Sequence, residues 1–390
     1  MNRNNNSSNF QNKINVAHLV NELSPAGKEL GIIKLVRHLN KEIFNPSIVS
    51  FSGIYSHDVL DITGLQTDIL NKKVGNDWSL PFKIYQYCRK NKIHIIHSHS
   101  WGTLVEGIIG AKMARVPVII HGEHGTFSNK WKHRHLQRIF WGLSSRVLAV
   151  SNELKNKIVQ VINFPKEKIE VIYNGVNEDS FYPSKELYIK FRHKFGFSEN
   201  DFIIGTIGRF HKIKNQSMLL KAAAELVKVG KTIKIVLVSG GQMENDLRKL
   251  AESLQISKFT HFLGLQKDIN LVLNGLDVFT LTSFDEGCSN VIQEAMFCEK
   301  AIVATNVGGT PELLTDGYNG YLVESNNHKQ LYKKLLFLIN NPLNLKEIAV
   351  NTRKSAQKQF SLSNMVQSYE KMYLEEFDKR VKHKKTLINF

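Results

Sequence analysis

The sequence predicts an α/β protein of two doubly wound units. Apolar runs of strand length alternate with segments of helical period along most of the chain. Glycine-bearing turns follow several of the strand ends, the arrangement that presents helix N-termini to anions. The chain has 390 residues, too many for one ordinary core, which implies two domains. Hydrophobic residues make up 42% and charged residues 22%, a globular composition, and no apolar run approaches the length of a membrane span.

Taken in order, residues 1–12 are Asn- and Ser-rich without an apolar segment, which reads as a disordered lead-in rather than a secretory signal. The first unit is expected over 13–176. Lys13–Val20 is a strand, Leu23–Lys28 a turn containing Ala26-Gly27, and Glu29–Leu39 a helix with apolar residues at helical spacing. Pro46–Phe51 and Leu65–Leu70 read as short strands, Leu80–Lys90 as a helix, and Ile93–His97 as a strand that leads into Ser98 and His99. His97 and His99 share one face if that strand continues. They form a metal-ligand pair with no fixed third ligand, or they pack through hydrogen bonds.

Val116–Ile120 is another strand, followed by His121-Gly122-Glu123-His124-Gly125, a bunching of polar groups where α/β folds place ligand contacts. Lys130–Ser144 mixes Trp131, Leu136, Ile139, Phe140 and Leu143 with Lys130, Lys132, Arg134 and Arg138. Two readings stay open for it: an interfacial membrane helix, or a core-packed helix with a solvated basic face. Arg146–Ser151 and Ile169–Tyr173 complete the unit, and Asn177–Asp201 is a polar interdomain crossing.

The second unit is expected over 202–360. Its first strand, Phe202–Ile207, runs into Gly208-Arg209 and then His211-Lys212-Ile213-Lys214-Asn215 before a helix. Arg offers a bidentate fork to phosphate and Lys a mobile point charge; Lys212 is the stand-in for Lys214. Lys234–Ser239, Phe259–Leu263 and Ala301–Thr305 are further strands, with Gly308-Gly309 in a turn after the last. Leu331–Ile339 and Leu345–Phe360 are helical, 361–378 is a last amphipathic helix, and 379–390 a loose basic tail.

The chain is organised around Ser283–Met296. The strand Val278–Thr282 enters it, and Gly287 breaks the run in a way that suits a positive φ. Asn290 and Gln293 have capping-box spacing for a new helix. That helix N-terminus, with Gly287, Cys288, Ser289 and Asn290 before and at its start, suits a phosphate. Glu286 precedes the helix and Glu294 lies one turn inside it, and carboxylates bind sugar hydroxyls through strong charge-assisted hydrogen bonds. Spacing alone leaves this cradle level with a plain βα turn carrying solvated acids.

The net charge is +17, which favours anionic partners: nucleotides or lipid head groups. No RNP signature, zinc-finger spacing or basic repeat is present, so nucleic acid is not an expected partner. Three cysteines, Cys88, Cys288 and Cys298, have no disulfide or metal-like pairing and point to a reduced, cytoplasmic protein. Cys288 reads as a small turn filler.

The stretch from Glu286 to Glu294 resembles the E-x7-E motif of retaining glycosyltransferases of family GT4. The resemblance extends to Ala301–Glu312, Asp316–Val323, Val171–Val176 and Gly208-Arg209 with Lys214, and covers about residues 14–375. It implies a GT-B fold: an N-terminal acceptor domain and a C-terminal nucleotide-sugar donor domain, both Rossmann-like, facing across a cleft, with the last helix returning to the first domain. It implies transfer of a sugar from a nucleoside-diphosphate donor to a saccharide or lipid-linked acceptor hydroxyl, with retention of configuration. The setting would be cell-surface polysaccharide or glycolipid synthesis at the inner face of the membrane.

By the same resemblance, Arg209 and Lys214 meet the diphosphate, Glu286 the donor sugar, Glu294 the ribose, and His124, or else His121, orients the sugar. The Gly27 turn faces the donor phosphate or acceptor; the family's usual Gly-Gly pair is here Ala26-Gly27. With no Asp-x-Asp motif, no catalytic metal or cofactor is expected. A GT-B sugar-nucleotide epimerase and a non-catalytic sugar-nucleotide binder are the alternatives.

Overall fold

The computed structural model describes residues 13–24, 27–53, 60–125 and 131–388, with side chains as far as Arg380. The lead-in 1–12, Ala26 and Lys130 lie outside the described residues. The chain divides into two compact units: one runs to Val150 and includes Lys155–Ile172 and Val366 onward, the other comprises Ser151–Leu154 and Tyr173–Met365.

Among the described residues the first unit holds seven strands: β1 (Ile14–Val20), β2 (Phe44–Ser50), β3 (Gln66–Ile69), β4 (Ile95–His99), β5 (Val118–Glu123), β6 (Arg146–Ala149) and β7 (Ile169–Val171). They pair in parallel in the order β3-β2-β1-β4-β5-β6-β7. The second holds β8 (Phe202–Ile207), β9 (Ile233–Val238), β10 (Thr260–Phe262), β11 (Val278–Leu281), β12 (Ala301–Thr305) and β13 (Tyr321–Val323), in the order β10-β9-β8-β11-β12-β13, again all parallel.

Parallel strands covered on both faces read as unbroken apolar runs. The second sheet shows why. Ile203, Val236, Val238, Phe279, Leu281 and Ile302 point into one core. Ile204, Ile235, Leu237, Val278 and Val303 alternate with them into a separate core on the other face.

In each sheet the strand order reverses beside the first strand, at β1/β4 and at β8/β11. Such switch points open a crevice at the carboxyl ends of the strands, where α/β proteins place ligands.

Several expectations change. The segment 177–201 is not a bare crossing: it carries the helix Lys185–Phe195, capped by the Ser184 side chain and closed by Gly196 at φ 72°. Phe191 of that helix is fully buried in the second unit's core. The last helix runs Leu362–Ile388, into the tail expected to be loose. It joins the first unit from Val366, where Tyr373 and Glu376 are buried. The helix Trp131–Gly142 buries Gln137 and Trp141, while Trp131, Leu136, Ile139 and Leu143 are 66, 40, 47 and 44% exposed. The helix packs through Gln137 and Trp141, with Trp141 against His121 and Phe164, while most of the apolar face expected from the sequence points outward.

Candidate active site

At the second switch point, three loops are tied together. After β8, the Gln216 amide donates to the carbonyls of Gly208 and Arg209 at 3.3 and 3.2 Å. After β11, the Thr282 hydroxyl donates to the carbonyls of Lys214 and Asn215 at 3.2 and 2.9 Å, and Phe284 N–H to Ile213 at 2.7 Å. This lacing carries Lys214 to Glu286: the ammonium lies 2.7 Å from Glu286 Oε1. Ser283 Oγ donates to the same oxygen at 2.5 Å. Arg209, on the loop after β8, is exposed and makes no ion pair among the described residues. After β12, Gly309 N–H donates to the carbonyl of Glu286 at 3.0 Å.

Lys214 keeps donors beyond the one given to Glu286, since an ammonium has three. Glu286 Oε2 takes no hydrogen bond from the described residues, so it is the oxygen left to accept from a ligand.

The helix that follows, Asn290–Phe297, is capped by Ser289, whose side chain accepts from Ile292 N–H. The cap is thus Ser289, not Asn290. Asn290 Oδ1 instead accepts from the Asn174 amide at 2.7 Å, and Gln293 donates to the Asn174 carbonyl at 3.0 Å. The Val171–Val176 segment is thereby fastened to the helix start. Gly287 has no positive φ; the left-handed glycine of this corner is Gly308, at φ 51°. Burial pushes the Cys288 thiol up to about 12, so it stays protonated and fits the filler role. Glu294 is half-buried on the helix.

Glu312 was not singled out from the sequence. Its carboxylate accepts from Tyr173 OH at 2.7 Å, from Asn152 N and Nδ2 at 2.8 and 3.0 Å, and from Glu153 N at 2.7 Å. Burial works to raise its pKa, but these donors hold it below the usual range. Glu312 caps the start of the helix Asn152–Lys157 and fixes Tyr173 beside it.

In the first unit, β1, β4 and β5 deliver histidines to one place. Register sets His18 opposite His97 and His99 opposite Gly122. His18 Nδ1 lies 3.1 Å from His99 Nε2, and His99 Nδ1 lies 3.0 Å from His124 Nε2. His97 stacks on His99, centroids 4.1 Å apart, and its Nδ1 meets Tyr373 OH at 2.7 Å. His121 is fully buried and bonded to Ser98 Oγ at 2.8 Å. His124 is half-buried at the strand end, so of the two alternatives it is the one within reach of a ligand. Ser100, directly after β4, has φ 61°, a strained value for serine. Gly27 opens the helix Gly27–His38, followed by Lys28 paired to the buried Glu29 at 2.9 Å.

The third imidazole missing from the sequence reading is His18. His18, His97 and His99 each bring a nitrogen within 4.8 Å of the others. Yet His97 and His99 lie face to face, 30° from parallel. A bound metal lies in the plane of each imidazole ligand, so these rings would have to turn to share one.

Two all-parallel, doubly wound sheets, each with a switch point beside its first strand, make up the GT-B architecture of glycosyltransferases. Residues 16–180 match the model for Glycosyltransferase Family 4, and residues 188–359 that for Glycosyl transferases group 1. The putative glycosyltransferase EpsD of Bacillus subtilis (strain 168) is 30% identical over 300 residues, 74% of this chain and 78% of that one. The Escherichia coli UDP-Gal:alpha-D-GlcNAc-diphosphoundecaprenol alpha-1,3-galactosyltransferase is 25% identical over 316 residues, 78% of this chain and 81% of that one. The crystal structure of Anabaena Alr3699/HepE in complex with UDP superposes with a TM-score of 0.83 at 23% identity, over 93% of this chain and 100% of that one. The chain belongs to glycosyltransferase family 4.

Proposed function

We propose that the protein transfers a sugar from a nucleoside-diphosphate donor to a hydroxyl of a saccharide or lipid-linked acceptor, with retention of configuration. The observation that carries this reading is the Lys214–Glu286 pair at the switch point between β8 and β11. It sets a cation for diphosphate and a carboxylate for sugar hydroxyls side by side. Arg209 and Lys214 neutralise charge on the departing diphosphate, helped by the N-terminus of Asn290–Phe297. Glu286 accepts from the donor sugar, Glu294 from the ribose, and His124 orients the sugar. The Gly208 and Gly287–Asn290 backbones line the diphosphate. The Gly27 turn serves the donor phosphate or the acceptor.

The E. coli relative's name includes a UDP-sugar and a diphosphoundecaprenol carrier, and the Anabaena neighbour was solved with UDP. Both favour a UDP-sugar and a lipid-linked acceptor as the first substrates to try. The outward apolar face of Trp131–Gly142 carries Lys132, Arg134 and Arg138, a composition suited to an anionic membrane surface. We assign the enzyme to the cytoplasmic face of a membrane, in polysaccharide or glycolipid synthesis. No described helix is long and apolar enough to cross one.

The test is a thermal-shift screen of UDP-, GDP- and ADP-sugars, followed by product analysis with and without lipid-linked saccharide acceptors. A true donor raises the melting temperature by mass action and loses its sugar only when an acceptor is present. Isomerisation of the donor alone would identify an epimerase instead. Donor binding with no product of either kind would identify a non-catalytic binder.

A further inference from the structure

His18, His99 and His124 form a chain of imidazoles joined nitrogen to nitrogen, 3.1 and 3.0 Å apart. The His18 and His99 planes are within 10° of parallel, and both side chains are almost wholly buried. His18 Nε2 is buried and has no partner among the described residues. At the other end, His124 Nδ1 is engaged by no described residue. His97 holds the middle ring in place from its face.

Burial first, with Lys41 adding to it, lowers His18 to about 3. Burial, then His97, His124, His18 and Lys28, holds His99 well below its ordinary value. The rings are neutral, each with one N–H and one lone pair. Only two proton arrangements then satisfy both links. In one, every N–H points inward, and His18 buries an N–H at Nε2 with nothing to accept it. In the other, every N–H points outward, and the orphan at His18 Nε2 is a lone pair. A buried orphan donor costs the fuller penalty and is the rarer case in proteins.

We infer that His18 and His99 are positioning residues that lock His124 as its Nδ1–H tautomer, so that it meets its ligand as a hydrogen-bond donor. His18 Nδ1–H donates to His99 Nε2, and His99 Nδ1–H donates to His124 Nε2. The ligand's matching group is an acceptor oxygen, such as a sugar hydroxyl or ring oxygen. This last step rests on His124 facing the donor sugar; the tautomer itself does not. Gly122 keeps the junction open: a β-carbon there would lie 3.1 to 3.3 Å from nitrogens of His97, His99 and His124.

The experiment is histidine ¹⁵N NMR of the full chain without substrate, between pH 6 and 8. The expected spectrum has protonated Nδ1 and bare Nε2 at His18, His99 and His124. Protonated Nε2 at His124, or an exchange average of the two forms, overturns the inference. His18→Leu removes the inner donor and should let His124 populate both tautomers, whereas His18→Asn restores a donor close to Nδ1 and should keep the wild-type spectrum. On turnover, His18→Leu should lower kcat about tenfold, the worth of one hydrogen bond, and His18→Asn should recover most of it. Equal loss in both variants with an unchanged His124 spectrum means that His18 is only a packing residue. If His18→Leu does not fold, the wild-type spectrum alone decides. A confirmed tautomer with no kinetic effect refutes the sugar-facing role and leaves the relay standing.

Discussion

Gly308 lies directly against Glu286: at φ 51°, a β-carbon on Gly308 would stand 1.8 Å from the Glu286 carbonyl oxygen. Its neighbour Gly309 is as tight, with a β-carbon 2.2 Å from the Gly287 carbonyl. The two glycines are needed so that the loop after β12 can brace the loop that carries Glu286. Gly308→Ala adds left-handed strain of about 1 kcal/mol to an overlap that backbone alone can relieve. Turnover is expected to fall by two orders of magnitude or more, with a lowered melting temperature. Normal turnover in Gly308→Ala would show that the brace has no bearing on the site.

Lys214 and Glu286 are expected to matter far more to chemistry than to folding. Their pair is partly exposed on the lysine side, so it contributes only about 1 kcal/mol to stability. Glu286→Gln keeps the shape and removes the charge. It should lower kcat about 10²- to 10³-fold, the usual cost of removing a preorganised electrostatic contact. Steady-state kinetics beside a melting curve separates the two effects; equal losses in both would make the pair structural.

The histidine cluster predicts a definite acid sensitivity. Burial is the leading cause that lowers His18, His97 and His99 below 6.5. Lys41 adds to it at His18; His18, His121 and His124 at His97; and His97, His124, His18 and Lys28 at His99. Their folded pKa values are depressed, so the unfolded chain binds protons that the native protein does not. Stability is full above the unfolded value of 6.5 and falls as pH drops below it, towards the folded values. His124 is lowered as well, to about 3, by burial first and then by Lys28 and His121, and four such groups steepen the fall to about 5 kcal/mol per pH unit at its limit. Urea melts at pH 7.5, 6.5 and 5.5 should show it. A flat profile across that range would mean that the cluster is charged or wet.

The exposed face of Trp131–Gly142 should bind anionic vesicles. Charge reversal of Lys132, Arg134 and Arg138 to Glu is expected to abolish most co-sedimentation with phosphatidylglycerol vesicles at 0.1 M salt, since each basic residue near such a surface contributes about 1 kcal/mol. The rise in melting temperature given by the donor in solution should be unaffected. Unchanged co-sedimentation would assign the face another role.

Much of this was legible in the chain. Strand ends with glycines put Arg209, Lys214 and Glu286 at the carboxyl edge, and the family resemblance, not the spacing, gave Glu286 its expected role. What escaped depends on partners distant in sequence. His18 joins His97 and His99 through the β1–β4 register, which no spacing records. The cap fell on Ser289 because Asn174, from another segment, draws off Asn290. Other signals were present but outweighed. Leu187, Phe191 and Phe195 have helical spacing inside a segment whose polarity suggested a linker. The helix Trp101–Met113 is rich in glycine, and Gly110 is there because Ile84 packs against it, 2.6 Å from where a β-carbon would be.

The measurement closest to the central claim is calorimetric titration of UDP, GDP and ADP into the wild-type protein and into Arg209→Ala and Lys214→Ala. One nucleotide should bind the wild type, and each variant, folded by circular dichroism, should bind it at least about tenfold more weakly, the worth of a charged hydrogen bond. Unchanged affinity in both variants would contradict the placement of the donor diphosphate at the β8/β11 switch point.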